Sequence, residues 1–319
     1  MNLIAVQNRS LPGPVLLALV LFIASSTCHG KTNADIVKDR DEGGVEIYRF
    51  SIPDDALVKG YIIKPTGNGP FPGVLISHGA GNSASKFGVE FGLFFADNGF
   101  VGIACDYTHR GEGGKSSIQR SKQPGFGFGA SQENLRRALK VLEILKGLDY
   151  VDRDRIAAYG NSMGAFLTAG FVAQGEAVRE IKVAAITAGG IEYAGLEGHS
   201  KGKIIQPAAI DEKEAARIHC PMLLIHGARD PNVPPECSTH LREVLERNGK
   251  TAVAKVYEGQ GHAVKSHPEV KPSIVTFFRK HLGLPEGQVR LGMMSVVNGD
   301  DEFEENGKPN RKSKGHTER

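Results

Sequence analysis

A serine held between two glycines carries the clearest chemical signal in this chain: Gly160-Asn161-Ser162-Met163-Gly164. The motif follows a short apolar run, residues 156–159, and opens a stretch of small residues from Ala165 to Ala173 that reads as a helix. A serine hydroxyl attacks a carbonyl carbon only when a base removes its proton, so the side chain must stand clear of the sheet. A sharp strand-to-helix turn achieves this, and the crowding at such a turn favours glycine on both sides. The base should be a histidine, oriented by a carboxylate that also stabilises its charged form.

Eleven histidines are present. His262 lies in Gly259-Gln260-Gly261-His262, directly after the last apolar strand, where glycines let the backbone present the ring. His78 ends an early strand ahead of Gly79-Ala80-Gly81 and suits a structural or loop-shaping duty. His226 belongs to a strand-end pattern and reads as buried or hydrogen-bonded. The carboxylate is assigned to Asp230, in the turn His226-Gly227-Ala228-Arg229-Asp230-Pro231-Asn232-Val233-Pro234, where two prolines stiffen the loop. Asp106, also at a strand end, is the rival and reads as a structural carboxylate paired with Arg110 or loop amides.

An oxyanion formed by serine attack needs two preorganised N–H donors. One is expected from the amide of Met163, at a helix start where the dipole favours negative charge. The other is expected from Ala80, with Gly81 as the fallback, since Gly79 and Gly81 let that backbone approach a substrate closely.

The elements that must position these groups alternate along the chain. Residues 45–52 and 57–63 read as a hairpin around Pro53-Asp54-Asp55. Strands are expected at 73–77, 100–105, 155–159, 182–187, 222–226 and 253–257. Helices are expected at 87–98, 131–148 with Ser131 as its cap, 165–173, from Pro235 to about 248, and 272–282. Strands apolar on both faces, alternating with helices after an opening hairpin, describe one α/β domain with a doubly wound, mostly parallel sheet. Sites in such sheets lie beyond the carboxyl ends of the strands, where every candidate above falls.

Length and charge narrow the classes. The core, residues 31–283, is long enough for one well-buried domain. Thirty-nine basic against 36 acidic residues give a net charge of +3, with no basic stripe to neutralise phosphates, so nucleic acid is not an expected partner. Residues 1–30 hold one early cation, an apolar run from Val15 to Ile23 and small residues after it. That layout reads as a secretory signal peptide, predicting export to the periplasm or beyond and no stable membrane span after cleavage. An uncleaved anchor, or a lipid on Cys28, is the minor alternative. Residues 284–319 alternate acidic and basic blocks with few apolar side chains and read as a disordered charged tail. The four cysteines form no C-x-x-C pair, so neither a metal knuckle nor a dithiol motif is indicated. A Cys220–Cys237 disulfide is open to an exported protein but not indicated.

Taken together, Ser77-His78-Gly79-Ala80-Gly81, the segment from Asp106 to Gly113, Gly160-Asn161-Ser162-Met163-Gly164, His226-Gly227-Ala228-Arg229-Asp230 and Gly261-His262 resemble the α/β-hydrolase superfamily. The resemblance is strongest to its dienelactone-hydrolase-related and S9-peptidase-related branches. The order Ser162, Asp230, His262 is the order of that fold. What the resemblance implies is a serine hydrolase that cleaves a carboxylic ester through an acyl-enzyme, or alternatively an S9-type peptidase or amidase on small peptides. Dienelactone hydrolases proper use a cysteine nucleophile, so that activity does not carry over to Ser162. The chemistry asks for no metal and no organic cofactor, and the expected partner is a small acyl or peptide substrate. A non-catalytic binding protein on the same fold is the remaining class, disfavoured because all three groups are kept. Residues 108–130 and 189–219 occupy the positions where lids and acyl pockets are built; the first offers Phe126 and Phe128 as acyl-pocket lining or as part of a surface loop, and the second holds Tyr193 and a charged segment, Asp211–Arg217.

Overall fold

The computed structural model describes residues 33–107, 128–175, 177–192 and 209–291. A nine-stranded sheet runs through it in the order β1-β2-β3-β5-β4-β6-β7-β8-β9. The strands are β1 (Asp35–Glu42), β2 (Val45–Ile52), β3 (Asp55–Lys64), β4 (Phe71–Ser77), β5 (Val101–Cys105), β6 (Val151–Asn161), β7 (Ile181–Thr187), β8 (Met222–Gly227) and β9 (Ala252–Tyr257). β1, β2, β3 and β5 pair antiparallel, and β5, β4, β6, β7, β8 and β9 pair parallel. The expected α/β architecture is therefore the one observed.

β1 is the strand the sequence reading lacks. Seven of its eight residues are exposed and charges dominate it, so no apolar alternation marks it. Backbone pairing to β2 across the Gly43-Gly44 turn, the Asp39–Arg49 ion pair and Ile36 against the core hold it instead, and both glycines take the left-handed conformation the turn needs.

The helices are α1 (Val89–Asp97), α2 (Gln132–Gly147), α3 (Met163–Val172), α4 (Ala177–Glu180), α5 (Glu212–Ala215), α6 (Glu236–Arg247) and α7 (Val270–His281). Ser131 caps α2 by accepting the Asn134 amide, as its position before the apolar periodicity suggests. A turn of π-helix, Ala84–Gly88, precedes α1.

Alternation along the central strands divides the core. Leu75, Ile156 and Ala158 pack with α2, α3 and α6 on one face, while Val74, Ile76, Ala157 and Tyr159 pack with α1 and α7 on the other. The second layer is aromatic: Phe91 stands 4.8 Å from Tyr159 between ring centroids, and Phe95 5.9 Å from Phe278. Every residue of α3 is buried, which fixes the helix that starts at the serine. Cys105, Cys220 and Cys237 are buried free thiols, so the 220–237 disulfide does not form.

The packed chain continues past Leu284, the start of the expected tail. Leu284 and Val289 rest against the aromatic layer. The Asn98 side chain donates to the Arg290 carbonyl and accepts its amide, at 2.8 and 2.9 Å. The tail beyond residue 291 and the leader of residues 1–30 lie outside the described residues.

Candidate active site

The chain reverses its direction of sheet growth at β4: β5 adds on one side, β6 on the other. Loops leaving β4, β6, β8 and β9 at their carboxyl ends meet beyond this switch point.

β6 ends at Asn161, and Ser162 then takes φ 53° and ψ −122° before α3 begins. A left-handed φ is strained for a residue with a Cβ, and it lifts the side chain off the strand direction. Neighbouring backbone presses in from below. A Cβ on Gly160 would lie 2.1 Å from the Gly164 carbonyl oxygen, and one on Gly164 would lie 2.1 Å from that of Ser77. The two glycines are demanded by this close approach, while the positive φ falls on the serine itself. The Ser162 amide donates to the Thr187 carbonyl at the end of β7, tying the turn to the sheet.

Ser162 Oγ lies 2.9 Å from His262 Nε2. On the far side of the ring, His262 Nδ1 lies 2.8 Å from Asp230 Oδ2 and 3.0 Å from Oδ1. A carboxylate only accepts, so Nδ1 carries the proton, and Nε2 is left with a lone pair for the serine hydroxyl. The loops bearing the acid and the imidazole are joined by backbone: Ala228 N–H donates to the Tyr257 carbonyl and Arg229 N–H to that of Gln260.

Asp230 is buried, and its carboxylate is fully engaged. Oδ1 accepts the amides of Asn232 and Val233 at 2.8 and 3.0 Å, and Oδ2 receives His226 Nε2 at 3.3 Å. Burial by itself would raise the carboxyl, but hydrogen bonds from His226 and His262 and the Val233 amide outweigh it and hold Asp230 well below the usual carboxylate range.

The loop after β4 runs beside the serine. A Cβ on Gly79 would sit 3.2 Å from Ser162 Cβ, so Ala80 follows immediately at the mouth of the site and is exposed. Met163 is buried at the first position of α3. His78 shapes this loop from within: Nε2 accepts the Tyr107 amide at 3.1 Å, so Nδ1 donates to the Gly79 carbonyl at 2.9 Å. Burial keeps this imidazole below its ordinary pKa despite the bond to Gly79. Asp106 stays apart from the array; its Oδ1 accepts the Ala84 amide at the start of the π turn. Of the two candidate lining phenylalanines, Phe128 packs into the core beside α2, while Phe126 lies outside the described residues, as do Tyr193 and the expected Asp106 partner Arg110.

The Dienelactone hydrolase family profile matches residues 58–271, more than half of the chain and all of the site described above. The chain belongs to the dienelactone hydrolase family. Among curated relatives of this family member, Esterase FrsA of Citrobacter koseri is 28% identical over 123 residues, covering 39% of this chain and 27% of the relative. Esterase FrsA of an Enterobacter species is 31% identical over 120 residues, covering 36% and 25%. The matched segment thus spans about a quarter of those relatives' length. Among solved structures, a cold-adapted esterase from an Arctic intertidal metagenomic library aligns with TM-score 0.58 at 17% identity, covering 76% of this chain and 97% of that one. Pyrococcus horikoshii acylaminoacyl peptidase aligns with TM-score 0.53 at 18% identity, covering 83% and 44%. At such identities these likenesses establish the α/β-hydrolase fold.

Among the described residues, no group of three or more His, Cys, Asp and Glu side chains is placed to hold a metal ion, and no helix is long and apolar enough to cross a membrane.

Proposed function

We propose that this chain is a serine hydrolase that cleaves carboxylic esters through an acyl-enzyme, with Ser162 as nucleophile, His262 as general base and acid, and Asp230 as the orienting carboxylate. The observation that carries the proposal is the unbroken hydrogen-bonded line Ser162 Oγ–His262 Nε2, His262 Nδ1–Asp230 Oδ2, at 2.9 and 2.8 Å. Ser162 Oγ bonds to the ester carbonyl carbon as His262 Nε2 takes its proton. The carbonyl oxygen becomes an oxyanion held by the amides of Met163 and Ala80. The C–O bond to the alcohol then breaks, and His262 returns the proton to the leaving oxygen. Water repeats the sequence: His262 deprotonates it, its oxygen bonds to the acyl carbon, and Ser162 leaves with the proton. Asp230 stays ionised throughout and stabilises the transient imidazolium.

The esterase names of the curated relatives favour esters. The acylaminoacyl peptidase among the solved neighbours keeps peptide or amide cleavage as the second reading. Residues 1–30 supply the signal for the export we propose alongside.

Replacement Ser162→Ala, with circular dichroism unchanged, is expected to abolish p-nitrophenyl acetate hydrolysis; activity retained in that variant would remove the serine from the mechanism. Comparing p-nitrophenyl esters with peptide p-nitroanilides on the unaltered protein separates the two substrate readings.

A further inference from the structure

His226 is completely buried, and the mechanism above makes no use of it. Its two nitrogens can be assigned from their partners. Ser238 Oγ lies 2.5 Å from the Gly189 carbonyl oxygen, which only accepts, so the single hydroxyl proton points there. His226 Nδ1 lies 2.7 Å from the same Ser238 oxygen and must therefore donate to it. Nε2 faces acceptors alone: the Val233 carbonyl at 3.1 Å and Asp230 Oδ2 at 3.3 Å. Both nitrogens need a proton. A neutral ring would set one lone pair against another across a contact of ordinary hydrogen-bond length, in a place no water reaches. His78 shows the contrast: its Nε2 receives the Tyr107 amide, and the same reasoning makes that buried ring neutral.

We infer that His226 is a positioning residue, held as an imidazolium that grips Asp230 Oδ2 and tempers the charge Asp230 presents to His262. This rests on the roles proposed above for Ser162, His262 and Asp230.

The surroundings support a paired cation. Asp230 supplies the opposite charge at hydrogen-bonding distance, the condition under which a buried ion is tolerated. From α6 come Ser238, the Cys237 thiol, which burial pushes up to about 12 and so leaves neutral, and Glu236 at the helix start. The stretch after β7 offers the Gly189 carbonyl. The loop after β9 brings His262, which reaches the same carboxylate oxygen at 2.8 Å. The contacts also close on the nucleophile, since a Cβ on Gly189 would lie 3.0 Å from the Ser162 carbonyl oxygen. A carboxylate already paired with one imidazolium attracts a second less strongly, so His226 weakens the pull of Asp230 on the imidazolium that His262 forms during turnover.

Two measurements test this. In 15N-histidine-labelled protein at neutral pH, both His226 nitrogens are expected to bear directly bonded protons, while His78 shows one protonated and one bare nitrogen. A bare nitrogen on His226 would overturn the inference, and this readout needs no variant to fold. Next, the pH profile of kcat/KM for p-nitrophenyl acetate is compared with that of His226→Gln, which keeps a donor for Asp230 but cannot carry charge. Its acid limb is expected to move to higher pH by about 1. A folded His226→Gln protein whose activity falls while the limb stays put would reduce His226 to a structural part. The labelled spectrum recorded in Ser162→Ala reports on His226 regardless of turnover, so its failure is distinct from failure of the serine assignment.

Discussion

Asp230 accepts two backbone amides and two imidazoles, which leaves its carboxylate little freedom to turn. Asp230→Asn keeps the shape but offers N–H where His262 Nδ1 needs an acceptor, favouring the tautomer that cannot take the serine proton. We expect kcat to fall by about 10³–10⁴-fold with the fold retained, measured on p-nitrophenyl acetate beside circular dichroism. The same variant has a pH signature. The folded-state carboxyl is depressed below its ordinary 3.8, so its contribution to stability is full above that value and is lost as pH falls through the lower folded value. Urea midpoints of the parent and Asp230→Asn should therefore converge as the pH is lowered from about 5 towards 2; a constant gap would contradict the depressed carboxyl. The strand-end positions of Ser162, Asp230 and His262 were readable from residue types, because glycine and proline mark the turns that present them. The tie from His226 to Ser238 and on to Gly189 was not, since it joins positions 12 and 49 residues apart that only the packing of α6 on β7 and β8 brings together.

At the scale of elements, the turn between β6 and α3 depends on a close approach to β4. A methyl at Gly164 would meet the Ser77 carbonyl at 2.1 Å and that of His78 at 2.7 Å, both backbone atoms with little room to move. Gly164→Ala is expected to lower stability by about 3 kcal/mol and to displace the serine, seen as a lower urea midpoint and lost activity together. An alanine variant of parental stability would mean that the approach of α3 to β4 is looser than the structure has it. Helices with a capping serine or an apolar stripe, α2 above all, were legible to within a residue or two. β1 was not: it is paired along its backbone to β2, joined to it by the Asp39–Arg49 ion pair, and sends only Ile36 against the core, so it carries no apolar pattern and its charged side chains read as loop.

For the molecule as a whole, the alternation of apolar strands and helices told of the doubly wound sheet, because burial on both faces shapes composition directly. The end of the packed chain was harder to see. Residues 284–291 place Leu284 and Val289 on the aromatic layer and are further fastened by the Asn98 amide to the Arg290 backbone and by the Arg279 guanidinium to the Gly287 carbonyl, contacts blind to residue type at positions 290 and 287. The site is a property of the complete fold in the same sense. Ser162 and His262 are 100 residues apart in sequence and His262 and Asp230 are 32 apart, so neither pair survives unfolding.

Reaction with a fluorophosphonate tests the central claim most directly, because only a serine activated by its own base is phosphonylated readily. Intact-mass and peptide mapping should find one adduct, on Ser162, in the native protein, and none in Ser162→Ala or once urea has unfolded the chain. An adduct on another residue, or a native Ser162 that stays unlabelled, would contradict the account.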